Sequence, residues 1–174
     1  GLGFSLSGVN EKKWKKYGLE ISEFAAKQAA QWGEIFVGSL EEAPYENDFF
    51  DAIFMYHVIE HVQTPETIIE QIHKKLKPNG KLIISTPDFD SACARRFGKN
   101  YRMLHDKTHV SLFSNHSFHR FLTDFGFNIE DTHYPYFDTE FFDNSEFNRL
   151  KDTSKISPAF YGNIMTFYCQ KSSK

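Results

Sequence analysis

The middle of the sequence places one long apolar run before an amphipathic segment and a second apolar run directly after it. The first run is residues 49–58 (FFDAIFMYHV) and the second is residues 81–87 (KLIISTP). Residues 64–76 lie between the two runs and begin with Thr64, the expected helix cap, followed by Pro and Glu. This segment carries apolar side chains at i, i+1, i+4 and i+8. Uninterrupted apolar strands are typical of parallel sheets covered by helices on both faces. This β-α-β unit therefore predicts an α/β fold.

The remaining segments continue the alternation of strands and helices. Ser22 and Ser114 are the predicted N-caps of two further helices. The predicted strands, in chain order, are residues 15–21, 34–37, 49–58, 81–87, a strand that begins at 127, and 163–170. We expect one domain over residues 1–174, with a doubly wound, mostly parallel sheet flanked by helices and an antiparallel hairpin at its C-terminal edge.

Composition excludes several classes of protein. The chain has 174 residues, a net charge of −3 and 40% hydrophobic residues, which suits one ordinary folded domain. A mildly acidic balance argues against nucleic acid as a partner, and the apolar runs are too short to span a membrane. The two cysteines, Cys93 and Cys169, form no paired motif, and no secretory signal is visible, so we expect a reduced, cytoplasmic protein. The 19 phenylalanines predict a core of aromatic rings or an aromatic pocket.

Candidate functional residues follow the ends of the predicted strands. In open parallel sheets, ligands bind at the carboxyl ends of the strands, which places Glu20, residues 38–40, residues 56–61 and residues 86–88 at one edge. A carboxylate at Glu20 could accept hydrogen bonds from ribose hydroxyls, or it could be a solvated acid at a helix start; the spacing leaves both open.

Several stretches together resemble a class I S-adenosylmethionine-dependent methyltransferase of the small-molecule type. They are GLGF with KKYGLEIS, FFDAIFMYHVIEHV, LKPNGKLIISTP, and HDKTHVSLFS with FLTDFGF. The resemblance covers about three quarters of the chain, residues 1–133, and only loosely the remainder. It implies a Rossmann-like fold and methyl transfer from S-adenosylmethionine to an oxygen, nitrogen or carbon of a small-molecule acceptor.

The resemblance also implies roles for individual residues. Gly1 and Gly3 would approach the methionine moiety and Glu20 would hold the ribose. Ser39 and Leu40 would border the adenine, although many members of the family have an acid where Ser39 stands. The cofactor's sulfonium side would be lined by Tyr56 and His57.

The family's first central strand has no counterpart in the sequence before Gly1. In the family that strand lies between the strands that here end at Glu20 and His57. We therefore expect an N-terminally incomplete domain in which the first residues rearrange, a neighbouring chain fills the gap, or the two strands pair with each other. Cofactor affinity is then expected to be poor. A non-catalytic fold that dimerises or binds a partner is the alternative function.

Residues 57–61 (HVIEH) also fit the H-x-x-E-H pattern of a zinc hydrolase. That chemistry needs both histidines on one helical face, whereas an apolar strand leads into His57, so zinc hydrolysis is the least favoured alternative. Glu60 and His61 could instead help to bind a divalent ion, or could simply stabilise the loop, which is the preferred interpretation. No metal ligand is therefore assigned from the sequence.

Residues 88–114 and 134–162 are the expected substrate-side or contact segments. His57, beside the transfer site, and His109 are the candidate catalytic residues. His109 could accept a proton as a base, or its ring could pack under the loop. Arg102, His105 and Phe113 are the candidate substrate residues, and a solvated Arg102 is an equal alternative. Aromatic and acidic residues over 134–147 would form a lid or a subunit contact, and we expect a homodimer.

Overall fold

The computed structural model describes residues 1–134, 144–158 and 163–172. The chain divides into two compact units, residues 1–46 (unit 1) and residues 47–174 (unit 2). Among the described residues, no helix is both long and apolar enough to cross a bilayer. Both cysteines are buried and free, in agreement with the absence of a paired motif.

Unit 1 is a small parallel pair of strands with two helices. Its elements are α1 (Phe4–Ser7), β1 (Tyr17–Glu20), α2 (Glu23–Ala29) and β2 (Glu34–Val37). The strands pair in parallel over their whole length, so that Glu20 lies opposite Val37 at the carboxyl end. The Ser22 hydroxyl accepts the Ala25 N–H at 3.3 Å, which confirms Ser22 as the cap of α2.

Unit 2 contains the larger, mixed sheet. Its strands and helices are β3 (Phe50–Tyr56), α3 (Pro65–Lys75), β4 (Leu76–Pro87), α4 (Ala92–Phe97), α5 (Asn115–Asp124), β5 (Phe127–His133), α6 (Asn144–Arg149) and β6 (Ile164–Lys171). Short 3-10 helices occupy Ile59–His61, Gly98–Asn100 and Arg102–His105. The Ser114 side chain caps α5 in a capping box with Ser117, as the sequence predicts.

The described strands of unit 2 have the order β3-β4-β6-β5. β3 and β4 are parallel, as the β-α-β unit predicts, and β6 is antiparallel to both β4 and β5. The predicted antiparallel hairpin at the C-terminal edge is therefore present, with β5 at the edge and β6 between β4 and β5. β1 pairs with β2 and β3 pairs with β4, each pair within its own unit, and the arrangements expected around an incomplete N-terminus stay predictions.

Aromatic rings fill the core of unit 2. Phe118 of α5 is fully buried and packs edge-to-face on Phe167 of β6, with ring centroids 5.3 Å apart. Phe113 lies 4.7 Å from the Phe118 ring on the side of the preceding loop. The apolar stripe of α3 contributes Ile69 and Ile72, which are both buried. Phe97 and Phe127 are buried as well, whereas Phe4 and Phe24 are exposed, so an aromatic core accounts for only some of the phenylalanines.

Two local expectations for the β3–α3 region are wrong. β3 is not buried on both faces, because Phe54 is 49% exposed and Tyr56 is 41% exposed. Phe54 and Tyr56 are two residues apart and share one face of the strand, so that face is the less covered one. Thr64 precedes α3 but makes no side-chain capping hydrogen bond, so α3 begins with Pro65 and Glu66 in its first turn.

Gly3 packs against α2 in a conformation that only glycine adopts readily. Its φ is +84°, and an added Cβ would lie 2.9 Å from both Ala29 Cα and Trp32 Cδ1. Gly8 is a matched control, with φ −75° and no atom nearer than 3.9 Å to the same position. We expect Gly3→Ala to destabilise unit 1 by about 1–3 kcal/mol and Gly8→Ala to be nearly neutral.

Thermal unfolding followed by tryptophan fluorescence measures this effect, because both tryptophans, Trp14 and Trp32, lie in unit 1. Equal melting temperatures for the two alanine variants would contradict the close packing of Gly3 on α2.

Candidate active site

Glu20 holds its carboxylate at the carboxyl end of β1. The Ser22 N–H donates to Oε1 at 2.8 Å, which fixes the side chain at the start of α2. The Gly1 amino group forms an ion pair with Oε2. Both carboxylate oxygens therefore face hydrogen-bond donors, the kind of group that a ribose presents through its hydroxyls. Both earlier interpretations of Glu20, the helix-start acid and the ribose acceptor, are compatible with this position.

Of the two candidate glycines of the methionine side, only Gly1 is seen to contact Glu20. Burial lowers the pKa of the Gly1 amino group, which contacts the Glu20 carboxylate. Gly3 instead lies close to Ala29, at the end of α2, and to Trp32 in the turn that follows. A role of either glycine toward a ligand stays a prediction.

Ser39 and Leu40, the candidate adenine residues, follow β2 and are half-buried. The Gly38 N–H donates to the Glu20 carbonyl at 3.1 Å, so the turn after β2 is tied to the end of β1. The Ser39 N–H donates to Glu42 Oε2 at 2.8 Å, and this bond lowers the pKa of Glu42. Glu42 thus brings an exposed carboxylate to the place where the family often has an acid, a residue that the sequence analysis did not single out.

In unit 2, β3 ends in a sharp turn at His57. The His57 φ is +52°, a left-handed conformation that is uncommon for a residue other than glycine. Its N–H donates to the Ser85 carbonyl at 3.0 Å, which extends the pairing of β3 with β4 by one residue. Strain of this kind clusters at functional sites, and it reverses the chain between Tyr56 and the 3-10 helix.

Glu60 is buried beneath this turn and is held by two side chains. It is 1% exposed, with Oε1 3.2 Å from His57 Nδ1 and with Oε2 accepting from the Thr86 hydroxyl at 3.1 Å. Burial alone would raise the pKa of Glu60, but the hydrogen bonds from His57 and Thr86 hold that pKa below its ordinary value. Thr86 was missed as a functional candidate, since only tertiary pairing places it beside Glu60.

The H-x-x-E-H segment is not an α-helix. His57 ends a strand turn and residues 59–61 form a single 3-10 turn, so the two histidines are not an i, i+4 helical pair. His57 contacts Glu60, whereas His61 Nδ1 lies 3.2 Å from the Thr108 carbonyl. The helical geometry that zinc hydrolysis would need in this motif is therefore missing.

His109 lies beside His61, with ring centroids 4.9 Å apart. Its side chain is 8% exposed, and its Nδ1 is 2.8 Å from the Met103 carbonyl. The Asp106 carboxylate is 3.7 Å from its Nε2. The ring of His109 packs under the loop, which is one of the two alternatives. Its Nε2 has no carbonyl partner, so this placement is also compatible with the other alternative, a catalytic base. Its role as a base stays a prediction.

The candidate substrate residues occupy different surroundings in unit 2. Arg102 is exposed, and its backbone N–H donates to the Ser157 hydroxyl at 2.9 Å. His105 is exposed, with Nε2 3.0 Å from the Lys99 carbonyl. Phe113 packs on α5 through Phe118 and Phe121. Residues 135–143, which belong to the segment 134–147, lie outside the described residues. The role of that segment as a lid or a subunit contact therefore stays a prediction, and so does the homodimer.

The structure gathers the candidates into two groups, one in each unit. Glu20, Ser39 and Glu42 surround the strand ends of unit 1. His57, Glu60, His61 and His109 form a hydrogen-bonded and stacked group in unit 2.

Comparisons with known proteins show the family of this chain. Residues 3–132 match a family model described as a methyltransferase domain. An uncharacterized protein of Methanocaldococcus jannaschii is 31% identical over 83 residues, which are 47% of this chain and 40% of that protein. A demethylmenaquinone methyltransferase of Oceanobacillus iheyensis is 28% identical over 83 residues, which are 48% of this chain and 31% of that enzyme. The chain thus matches less than half the length of each of these curated relatives.

A solved structure supports the fold. An S-adenosylmethionine-dependent methyltransferase of Archaeoglobus fulgidus superposes with a TM-score of 0.66 at 16% identity, over 98% of this chain and 82% of that one. This likeness confirms the predicted Rossmann-like α/β fold. The prediction of a methyltransferase family is likewise confirmed at the level of the family. Because the family model covers 3–132 of 174 residues, the chain belongs to the methyltransferase domain family.

Proposed function

We propose that this protein transfers a methyl group from S-adenosylmethionine to a small-molecule acceptor. The observation that carries the proposal is the family match over residues 3–132, which spans both groups of candidate residues. The carboxylate at the end of β1 and the strained turn after β3 lie at carboxyl ends of parallel strands, where α/β sheets bind ligands. S-adenosylmethionine supplies an electrophilic methyl group on its sulfonium when it is bound.

The strand ends of unit 1 would hold the nucleoside half of the cofactor. In the structure, Oε1 of Glu20 accepts from the Ser22 N–H and Oε2 pairs with the Gly1 amino group. Ribose hydroxyls would take the place of the Gly1 amino group as donors to the carboxylate. The Glu42 carboxylate, anchored on the Ser39 N–H, is an acceptor of the kind that an adenine amino group needs. Glu42 would thus supply the acid that is missing at Ser39.

The turn after β3 would position the reacting groups. Methyl transfer needs in-line placement at short distance more than it needs a proton acceptor, so a rigid turn serves it well. The His57 N–H bond to Ser85 and the His57 contact with Glu60 fix this turn from the backbone and from the side chain. Arg102, His105 and Phe113 would select the acceptor.

Binding of S-adenosylhomocysteine to the purified chain tests this proposal. We expect a rise in melting temperature at millimolar ligand, because a ligand that binds the folded state at ten times its Kd stabilises that state by about 1.4 kcal/mol. Adenine alone at the same concentration is the control and should produce a smaller rise. Equal melting temperatures with and without millimolar S-adenosylhomocysteine would contradict the proposal and favour a non-catalytic binding module.

A further inference from the structure

The strongest cluster of metal-ligating groups within the described ranges is Glu60, His61 and His109. Each contributes one ligand atom, and the three atoms lie within 4.8 Å of one another. The segments that carry them are separated by 47 residues of sequence, so their meeting is a product of the fold. We propose that these three residues bind a divalent cation of the first transition-metal row, such as Zn²⁺.

Both histidines present the correct nitrogen for a metal. His61 Nδ1 faces the Thr108 carbonyl at 3.2 Å and His109 Nδ1 faces the Met103 carbonyl at 2.8 Å. A carbonyl oxygen only accepts, so each Nδ1 must carry a proton, and in the neutral ring the lone pair is then on Nε2. Backbone carbonyls that fix the tautomer in this way are the usual support of metal-binding histidines.

The third ligand is a buried carboxylate whose ion-pair partner among the described residues is a histidine, not a lysine or arginine. Glu60 is buried, and its oxygens face His57 Nδ1 and the Thr86 hydroxyl. Thr86 is a neutral donor and His57 carries a full charge only when protonated. Burying a carboxylate is costly unless it is paired or coordinates a metal, and a divalent cation at the three ligand atoms supplies that charge.

Backbone hydrogen bonds join the two ligand-bearing segments before any ion binds. The Glu60 carbonyl accepts the Val110 N–H at 2.8 Å and the Ser111 N–H at 3.0 Å. The Ser111 hydroxyl donates to the Val62 carbonyl at 2.6 Å. His109 is therefore held against the 3-10 helix, and preorganisation of this kind is what a metal site needs.

The ligand set indicates the class of ion. Two imidazole nitrogens and one carboxylate oxygen suit Zn²⁺ and its first-row neighbours, whereas Mg²⁺ and Ca²⁺ prefer oxygen ligands. Nitrogens and oxygens at about 2.1 Å from one Zn²⁺ are about 3.4 Å apart in a tetrahedral site. The His61 side chain is exposed, so rotation of its ring can close the remaining distance. Its exposure also leaves one side of the ion open to water or an oxygen ligand.

This assignment changes the role of His109. A nitrogen that binds the cation cannot also accept a proton, so His109 becomes a metal ligand instead of a base. The nearby Asp106 carboxylate, 3.7 Å from His109 Nε2, would be the closest additional oxygen donor. The proposal concerns cation binding and does not depend on methyl transfer.

Titration of the chelator-treated chain with Co²⁺, followed by visible absorption and calorimetry, tests the proposal without any methyl donor. We expect one equivalent to bind, Zn²⁺ to displace it, and a tenfold excess of Mg²⁺ to leave it in place. His61→Gln and His109→Gln should each weaken binding at least tenfold. His116→Gln removes an exposed imidazole from α5 of the same unit and should leave affinity unchanged.

Circular dichroism of each variant shows whether it is folded, and His61→Gln, at an exposed position, keeps the test valid if His109→Gln fails to fold. Affinities within twofold of the unaltered chain for a folded His61→Gln, or no binding by the unaltered chain, would overturn the proposal. S-adenosylhomocysteine binding is measured separately, so a failure of the cation site and a failure of methyl transfer remain distinguishable.

Discussion

Replacing Phe167 by alanine is expected to lower the free energy of unfolding by about 3–5 kcal/mol. Phe167 is fully buried in β6, the strand that lies between β4 and β5, and its ring meets Phe118 of α5 edge-to-face. Truncation would leave a cavity at the junction of the sheet and the helix and would remove an aromatic contact. Denaturant unfolding monitored by circular dichroism measures the loss.

Tyr168 is the matched control for this prediction. It is the next residue of the same strand, points to the opposite face, and is 38% exposed. Tyr168→Ala should cost less than half as much free energy as Phe167→Ala. Similar losses for the two variants would contradict the position of β6 in the interior of the sheet.

Replacing Glu20 by alanine is expected to weaken S-adenosylhomocysteine binding by about 10- to 100-fold. The proposed ribose contact is a charge-assisted interaction worth about 1.5–3 kcal/mol in total, and alanine removes the carboxylate that accepts it. Isothermal titration calorimetry measures the change in Kd. Glu20 also accepts the Ser22 N–H, so tryptophan fluorescence should first show that unit 1 of the variant is folded.

Glu23→Ala provides the control for the charge change. Glu23 is an exposed acid in the first turn of α2, three residues from Glu20. It should leave the affinity unchanged. If both variants bind as tightly as the unaltered chain, Glu20 is only the acid of a helix start and the ribose contact is wrong.

Local sequence signals predicted the elements of the fold well. Ser22 and Ser114 cap the helices that they were expected to cap, because an N-cap depends on a side chain and the backbone a few residues away. The parallel pairing of β3 and β4 followed from the helix between them. The insertion of β6 between β4 and β5 could not be read in this way, since the pairing partners of a strand are chosen by tertiary packing.

The site was predictable only where its residues are close in sequence. Glu20 and His57 follow recognisable strands, so the strand-end rule located them. The partnership of His61 with His109 depends on backbone bonds between the 3-10 helix and a loop 47 residues further on. No periodic pattern records such contacts. Glu42 is an exception, since it lies only three residues from Ser39 and was missed because its importance depends on a loop hydrogen bond from the Ser39 N–H.

A crystal structure of the chain with S-adenosylhomocysteine tests the central claim most directly, because it locates the ribose of the ligand. We predict that the ribose hydroxyls lie within hydrogen-bonding distance of the Glu20 carboxylate, at the carboxyl end of β1. A ligand whose ribose lies away from Glu20 would contradict the claim that this strand end binds the cofactor.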